Sequence, residues 1–170
     1  MIDVLDPQPV RLRFTVDDYY KMIELGMLED YERAEIIGGE LIKKMTIGDR
    51  HAAVVDFLNK FFIKNVSDDD LALADLRRFD GKRHPRPAEV ILMVEVSDAT
   101  LKYDRDKKLP LYAAAGIPEV WLVNLPNEII EIHTAPAFGL YQSIKIFRRG
   151  EKLQSSALPG LNLPVDAVLD

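Results

Sequence analysis

The sequence has no cysteine, which excludes disulfides and thiolate metal sites and fits a reducing compartment, so a cytoplasmic location is expected. It also has no apolar run near the ~20 residues that cross a bilayer, so no membrane partner is expected. There is no glycine-rich phosphate loop and no G-x-S-x-G element. The three histidines, His51, His84 and His133, show no zinc spacing. Basic charge is in deficit, with 22 Lys and Arg against 28 Asp and Glu and a net charge of −6. That balance argues mildly against indiscriminate coating of nucleic acid, but local patches decide contact with phosphate. One such patch exists. The stretch 77–86 carries Arg77, Arg78, Lys82, Arg83 and Arg86 with His84 against the single Asp80, so it is a candidate nucleic-acid contact or, equally, a solvated loop.

What is present suits one globular domain over residues 1–170, with 1–13 as an irregular or extended arm rather than a signal peptide. An apolar share of 48% is enough for a core. Thr15 opens a helix, with Asp18 placed for a capping box and Gly26 near the end. Residues 32–46 read as a hairpin around Gly38-Gly39, and residues 50–64 as a helix with Val54, Val55, Leu58, Phe61 and Phe62 on its apolar stripe. Leu71 and Leu73 suggest a short strand. Residues 90–97, VILMVEVS, form the run expected of a central strand buried on both faces. A helix ending near Gly116 follows, with Pro110 in its first turn or at a kink. Segments 119–124, 128–134 and 141–147 read as strands, the last two as outer antiparallel ones, and the tail reads as a loop with a short final turn. The order predicts an α/β or α+β domain: a mixed sheet flanked by helices.

Five residues stand out chemically. Glu95 interrupts an apolar strand, and a glutamate is rarely buried there unless paired or bound to metal. Either the strand ends in solvent or the carboxylate sits in a cleft where a cation neutralises it. Asp70 closes the acidic run Asp68-Asp69-Asp70. Alone it reads as part of a solvated loop, but beside Glu95 it would make an oxygen-rich site suited to Mg²⁺. Lys108 falls on the helix face shared by Asp104, Leu111, Tyr112 and Ala115. It could hold a phosphate or a water there, or snorkel to solvent. His51 lies on the apolar face of its helix, where a core histidine is the commoner reading. Glu35, between hairpin isoleucines, reads first as an outward strand residue.

The segments RFTVDDYYKM, YERAEIIGGELIKKMTIGDRHAAVVDFLN and VILMVEVSDATLKYDRDKKLPLYAAAGIPEVWLVNL resemble the Uma-two family of restriction-endonuclease-like proteins, part of the PD-(D/E)xK nuclease superfamily. The resemblance runs over roughly residues 13–168. Its most specific part contains Glu95, Tyr103-Asp104, Lys108, Tyr112, Gly116 to Glu119 and Trp121. It implies a restriction-endonuclease-like fold and an endonuclease that hydrolyses DNA with Mg²⁺ or Mn²⁺, working as a homodimer. Asp70 and Glu95 would be the metal ligands. Ser97 stands where many relatives of the superfamily carry the lysine, and Lys108 would replace it. Glu35 and His51 match recurrent polar positions near the site. Two departures from the pattern are visible: Asp69 replaces the motif proline, and a stretch that includes a strand is missing between the His51 helix and Asp70. Displacing a reacting group by 1 Å can cost about 100-fold in rate. The alternative implied is a catalytically impaired protein of the same fold that binds nucleic acid or another partner.

Overall fold

The computed structural model describes residues 12–29, 34–43, 48–65 and 86–170. Asp70, the strand expected at Leu71 and Leu73, and Arg77, Arg78, Lys82 and Arg83 lie outside the described residues. The chain divides into two compact units, Met1–Thr46 and Ile47–Asp170. Among the described residues, no helix is long and apolar enough to cross a membrane.

The first unit contains helix α1 (Val16–Glu24) and strands β1 (Ala34–Ile37) and β2 (Glu40–Lys43). Thr15 caps α1 through a full capping box. The Asp18 amide donates to Thr15 Oγ1 at 3.1 Å, and the Asp18 carboxylate accepts from the Thr15 amide at 2.9 Å. The antiparallel β1–β2 hairpin turns on Gly38 and Gly39, both with positive φ, as a two-residue turn of this kind requires. Gly39 is further constrained: a Cβ there would lie 2.6 Å from Arg13 Cβ. The Tyr19 hydroxyl donates to the Ala34 carbonyl at 3.0 Å and ties helix to hairpin.

The second unit is the mixed sheet expected from the element order. Helix α2 (Asp49–Asn65) is followed by strand β3 (Met93–Ser97). Then come a helical segment made of α3 (Leu101–Tyr103), a π-turn (Asp104–Lys108) and α4 (Leu109–Ala114), strands β4 (Glu119–Asn124), β5 (Ile129–Ala137) and β6 (Leu140–Arg148), and helix α5 (Val165–Leu169). The four strands lie in the order β3-β4-β5-β6, parallel between β3 and β4 and antiparallel thereafter. Because side chains alternate along a strand, the sheet has two distinct faces. Trp121, Val123, Ile130, Ile132 and Phe147 pack on one face against Val54 and Leu58 of α2 and Val165, Val168 and Leu169 of α5. Val120 and Leu122 pack on the other against Leu109, Ile117 and Tyr112.

Three expectations change. β4 is the most deeply buried strand, with all six residues buried, whereas β3 packs on both faces, through Val94 and Val96 on one and Met93 on the other, but is half-buried over Met93–Glu95. Pro87 opens a 3₁₀ turn, Pro87–Glu89, closed by the Glu89 carboxylate on the Arg86 amide at 2.6 Å, and β3 starts only at Met93. Of the two late strands only β6 is outer, since β5 lies between β4 and β6. The tail ends in a buried helix rather than a mere turn: Val165, Val168 and Leu169 are core residues. It is zipped back by Leu153 N–H on the Leu163 carbonyl and Val165 N–H on the Glu151 carbonyl, each at 2.9 Å.

Buried Glu119 fastens the stretch before α5 to β4. Its carboxylate accepts from Trp121 Nε1 and Ser155 Oγ, both at 2.7 Å, and from the amides of Ser156 at 2.8 Å and Ala157 at 3.1 Å.

Candidate active site

Strand alternation puts Met93, Glu95 and Ser97 on the sheet face covered by the α3–α4 segment. That segment is not a regular helix. Pro110 lacks an amide hydrogen, and its ring would collide with the carbonyl four residues back. The backbone widens ahead of it, and Leu109 N–H reaches the Asp104 carbonyl in a π-turn. The wide turn holds one residue more than an α-turn, which rotates the following positions by about 100°. This explains a departure from the expected helix face. Asp104, Lys108 and Tyr112 do face β3, but Leu111 and Ala115 are exposed, and Leu109 and Ala113 are buried instead.

Around Glu95 the geometry is close. Lys108 Nζ donates to Glu95 Oε2 at 3.2 Å, and the Tyr112 hydroxyl donates to Oε1. The same Nζ stands 3.1 Å from Asp104 Oδ1. Asp104 is 2% exposed, and its Oδ2 accepts from Ser97 Oγ at 2.8 Å and Thr100 Oγ1 at 2.6 Å. The side chains of Glu95 and Lys108 are only 17% and 15% exposed. Glu95 therefore does not end a strand in open solvent. It sits in a sheltered cluster in which, among the described residues, one ammonium serves two carboxylates, a balance that a cation would offset.

The remaining candidates are placed less tellingly. Glu35 lies in β1 of the first unit, paired in register with Ile42 and half-buried. His51 is half-buried on α2, and its Nδ1 has no hydrogen-bond partner among the described residues. Its neighbour Arg50 anchors the start of α2 through the Leu125 carbonyl at 3.2 Å and Glu128 at 2.7 Å.

Asp104, Ser97, Thr100 and Tyr112 received no role from the sequence. The spacing 104, 108, 112 was the available signal, one residue per helical turn on one face.

Farther along the same face, Glu131 forms a second buried network. It accepts from Arg105 at 2.5 Å, Asn124 Nδ2 at 3.1 Å and His133 Nε2 at 3.3 Å. Burial pushes its carboxyl up, but the bonds from His133, Asn124 and Arg105 outweigh that and hold it down at about 2. A depressed carboxyl adds stability above its unfolded value, and that stability disappears as pH falls through the folded value. Unfolding free energy should therefore drop between about pH 5 and pH 2, by up to about 3 kcal/mol from this group. In Glu131→Gln the acid-side slope in denaturant melts should be shallower; an unchanged slope would remove Glu131 from the account.

As for a metal, Mg²⁺ takes hard oxygen ligands and is often held by one or two carboxylates together with substrate phosphate. Glu95 fits, because each carboxylate oxygen has a second lone pair beyond its bond to Lys108 or Tyr112. Asp104 fits less well, since it is 2% exposed, its Oδ2 already accepts two hydroxyl donors, and its Oδ1, which makes no hydrogen bond among the described residues, faces the Lys108 ammonium at 3.1 Å. No group of three acidic or histidine side chains forms a ready metal cage among the described residues.

The sequence model of the family Uma2, described as "Putative restriction endonuclease", matches residues 66–166, more than half of the chain. The chain belongs to the Uma2 family. The match takes in the Glu95 cluster, the Glu131 network and the stretch containing Asp70, and it leaves Glu35 and His51 outside its bounds. The Uma2 assignment agrees with the resemblance in the sequence. Among solved structures, the chain is similar to a protein described as "a putative nuclease belonging to DUF820" from Anabaena variabilis, with a TM-score of 0.63 and 13% identity over 95% of this chain and 98% of that one. At that identity the likeness shows a shared fold. No curated protein matches the chain.

Proposed function

We propose that this Uma2 protein is a Mg²⁺-dependent endonuclease, with Mn²⁺ as a substitute, that hydrolyses phosphodiester bonds in DNA. The observation that carries the proposal is the sheltered Glu95 carboxylate held by Lys108 and Tyr112. Uma2 membership supports the reaction class. Glu95 and Asp70 would hold the ion, which when bound would polarise the scissile phosphate and acidify a water. Lys108 acts as a fixed cation rather than a base, because carboxylates stand on both sides of it. Its charge is placed to offset that developing on phosphate. Tyr112 fixes the orientation of Glu95. Glu35 and His51 are candidates for outer polar roles. Cleavage of both strands calls for two sites, so the protein is read as a homodimer in the cytoplasm. The exposed Leu140, Ile144 and Ile146 of edge strand β6 offer apolar surface for the second copy.

The test is nicking of supercoiled plasmid in Mg²⁺ or Mn²⁺. Activity that EDTA abolishes and Mg²⁺ restores is expected. No cleavage in either metal would sink the endonuclease reading and leave the impaired, nucleic-acid-binding alternative. The basic stretch can be checked separately. If it grips phosphate, Arg77→Glu with Arg78→Glu should weaken DNA binding and lower the slope of log K against log salt by roughly 2. Unchanged affinity would make it a solvated loop.

A further inference from the structure

A carboxylate as deeply buried as Asp104 is costly to keep unless it is fully engaged. Its two oxygens are engaged differently. Oδ2 takes both hydroxyl donors, Ser97 from the end of β3 and Thr100 from the start of the helical segment. A tie between strand and helix needs no more than that. Oδ1 makes no hydrogen bond among the described residues and is left with an ion-pair contact to Lys108 Nζ at 3.1 Å, one turn further along. Lysine has a flexible four-carbon stem, so its ammonium stays in place only when anchored. Its bond to Glu95 cannot be the sole anchor in a working site, because an incoming cation would repel the ammonium and compete for the same carboxylate.

We infer that Asp104 is a positioning residue that keeps the Lys108 ammonium at the site when another cation engages Glu95. Ser97 and Thr100 fix the Asp104 carboxylate so that Oδ1 stays aimed at Nζ. The inference rests on the endonuclease reading only for its activity readout.

Two measurements decide it. With ¹⁵N-lysine labelling, the Lys108 ammonium resonance, assigned by its loss in Lys108→Met, should be visible in the wild-type protein and persist when Mg²⁺ is added. In Asp104→Asn it should vanish on adding Mg²⁺. In plasmid cleavage, Asp104→Asn should lower kcat by about 10- to 100-fold with little change in KM for DNA, and it should cost nothing further in a Lys108→Met background. A wild-type resonance that is absent, a resonance that survives in Asp104→Asn, or an equal loss of rate in both backgrounds would overturn the inference. If the wild-type protein cleaves nothing, the endonuclease reading falls, and the resonance alone decides the role of Asp104. Should Asp104→Asn not fold, Ser97→Ala with Thr100→Val keeps the charge and loosens the anchor. The same Mg²⁺-dependent loss of the resonance is then expected, and its persistence counts against the inference.

Discussion

Glu95→Gln should lower the initial rate of plasmid nicking by about 10³-fold while changing stability by no more than about 1 kcal/mol. The two effects separate because the substitution removes charge and little else. The volume is kept. The Tyr112 hydroxyl can still donate to the amide oxygen, and Lys108 retains its contact with Asp104 at 3.1 Å. What disappears is the negative charge available to a divalent ion. Isothermal titration with Mg²⁺ should lose its Glu95-dependent component in step with the rate. Glu95→Ala adds a second defect, since it leaves a void under α4 and removes the acceptor that the Tyr112 hydroxyl uses on Glu95, so it should lower both rate and melting temperature. A Glu95→Gln protein that nicks DNA as fast as the wild type would end the proposal that this cluster is the active site.

The largest effect on stability is expected at Glu119. Its side chain is the common acceptor for Trp121, Ser155 and the amides of Ser156 and Ala157, and the residue is 1% exposed. Glu119→Ala deprives the donors without giving them water, and breaking a buried charged network from one side costs about 3–5 kcal/mol. Against a typical total of about 5–15 kcal/mol this is severe. For a chain of this size it corresponds to a melting temperature roughly 6–20 °C lower. Glu119 alternates with Val120 and so faces away from Glu95. The folded fraction should therefore keep its rate of DNA cleavage and lose only its thermal range. A melting temperature within about 2 °C of wild type would show that solvent or a shifted loop replaces the lost acceptor.

Much of the fold was legible. The Thr15 cap, the Gly38-Gly39 turn, the α2 stripe and the 119–124 strand follow from local chemistry that needs no knowledge of distant residues. That Glu95 and Lys108 meet came from the family resemblance, since alternation and helical repeat assign each a face but not a partner. Two kinds of feature were not legible. The first is the π-turn: a proline in a helix announces a disturbance but not how the backbone absorbs it, so Leu111 and Ala115 were placed on the wrong face. The second is burial of carboxylates whose partners come from far along the chain. Glu119 meets Ser155 and Glu131 meets Arg105 only once the sheet is assembled. The 90–97 run was legible as a strand packed on both faces, but not that it starts only at Met93 after a 3₁₀ turn.

The cross-strand register has a further consequence. Glu95 stands opposite Leu122, and Leu122 opposite Glu131, so an aliphatic side chain lies between the two ionic groups on adjoining strands. Strand spacing puts their backbones roughly 10 Å apart, and among the described residues the two groups share no hydrogen-bond partner. Leu122 thus spaces two polar networks, one chemical and one architectural, far enough apart that they make no direct contact. Substitutions in either network should combine additively with those in the other. The residues around Glu95 are then free to drift in reactivity without eroding the scaffold that carries them.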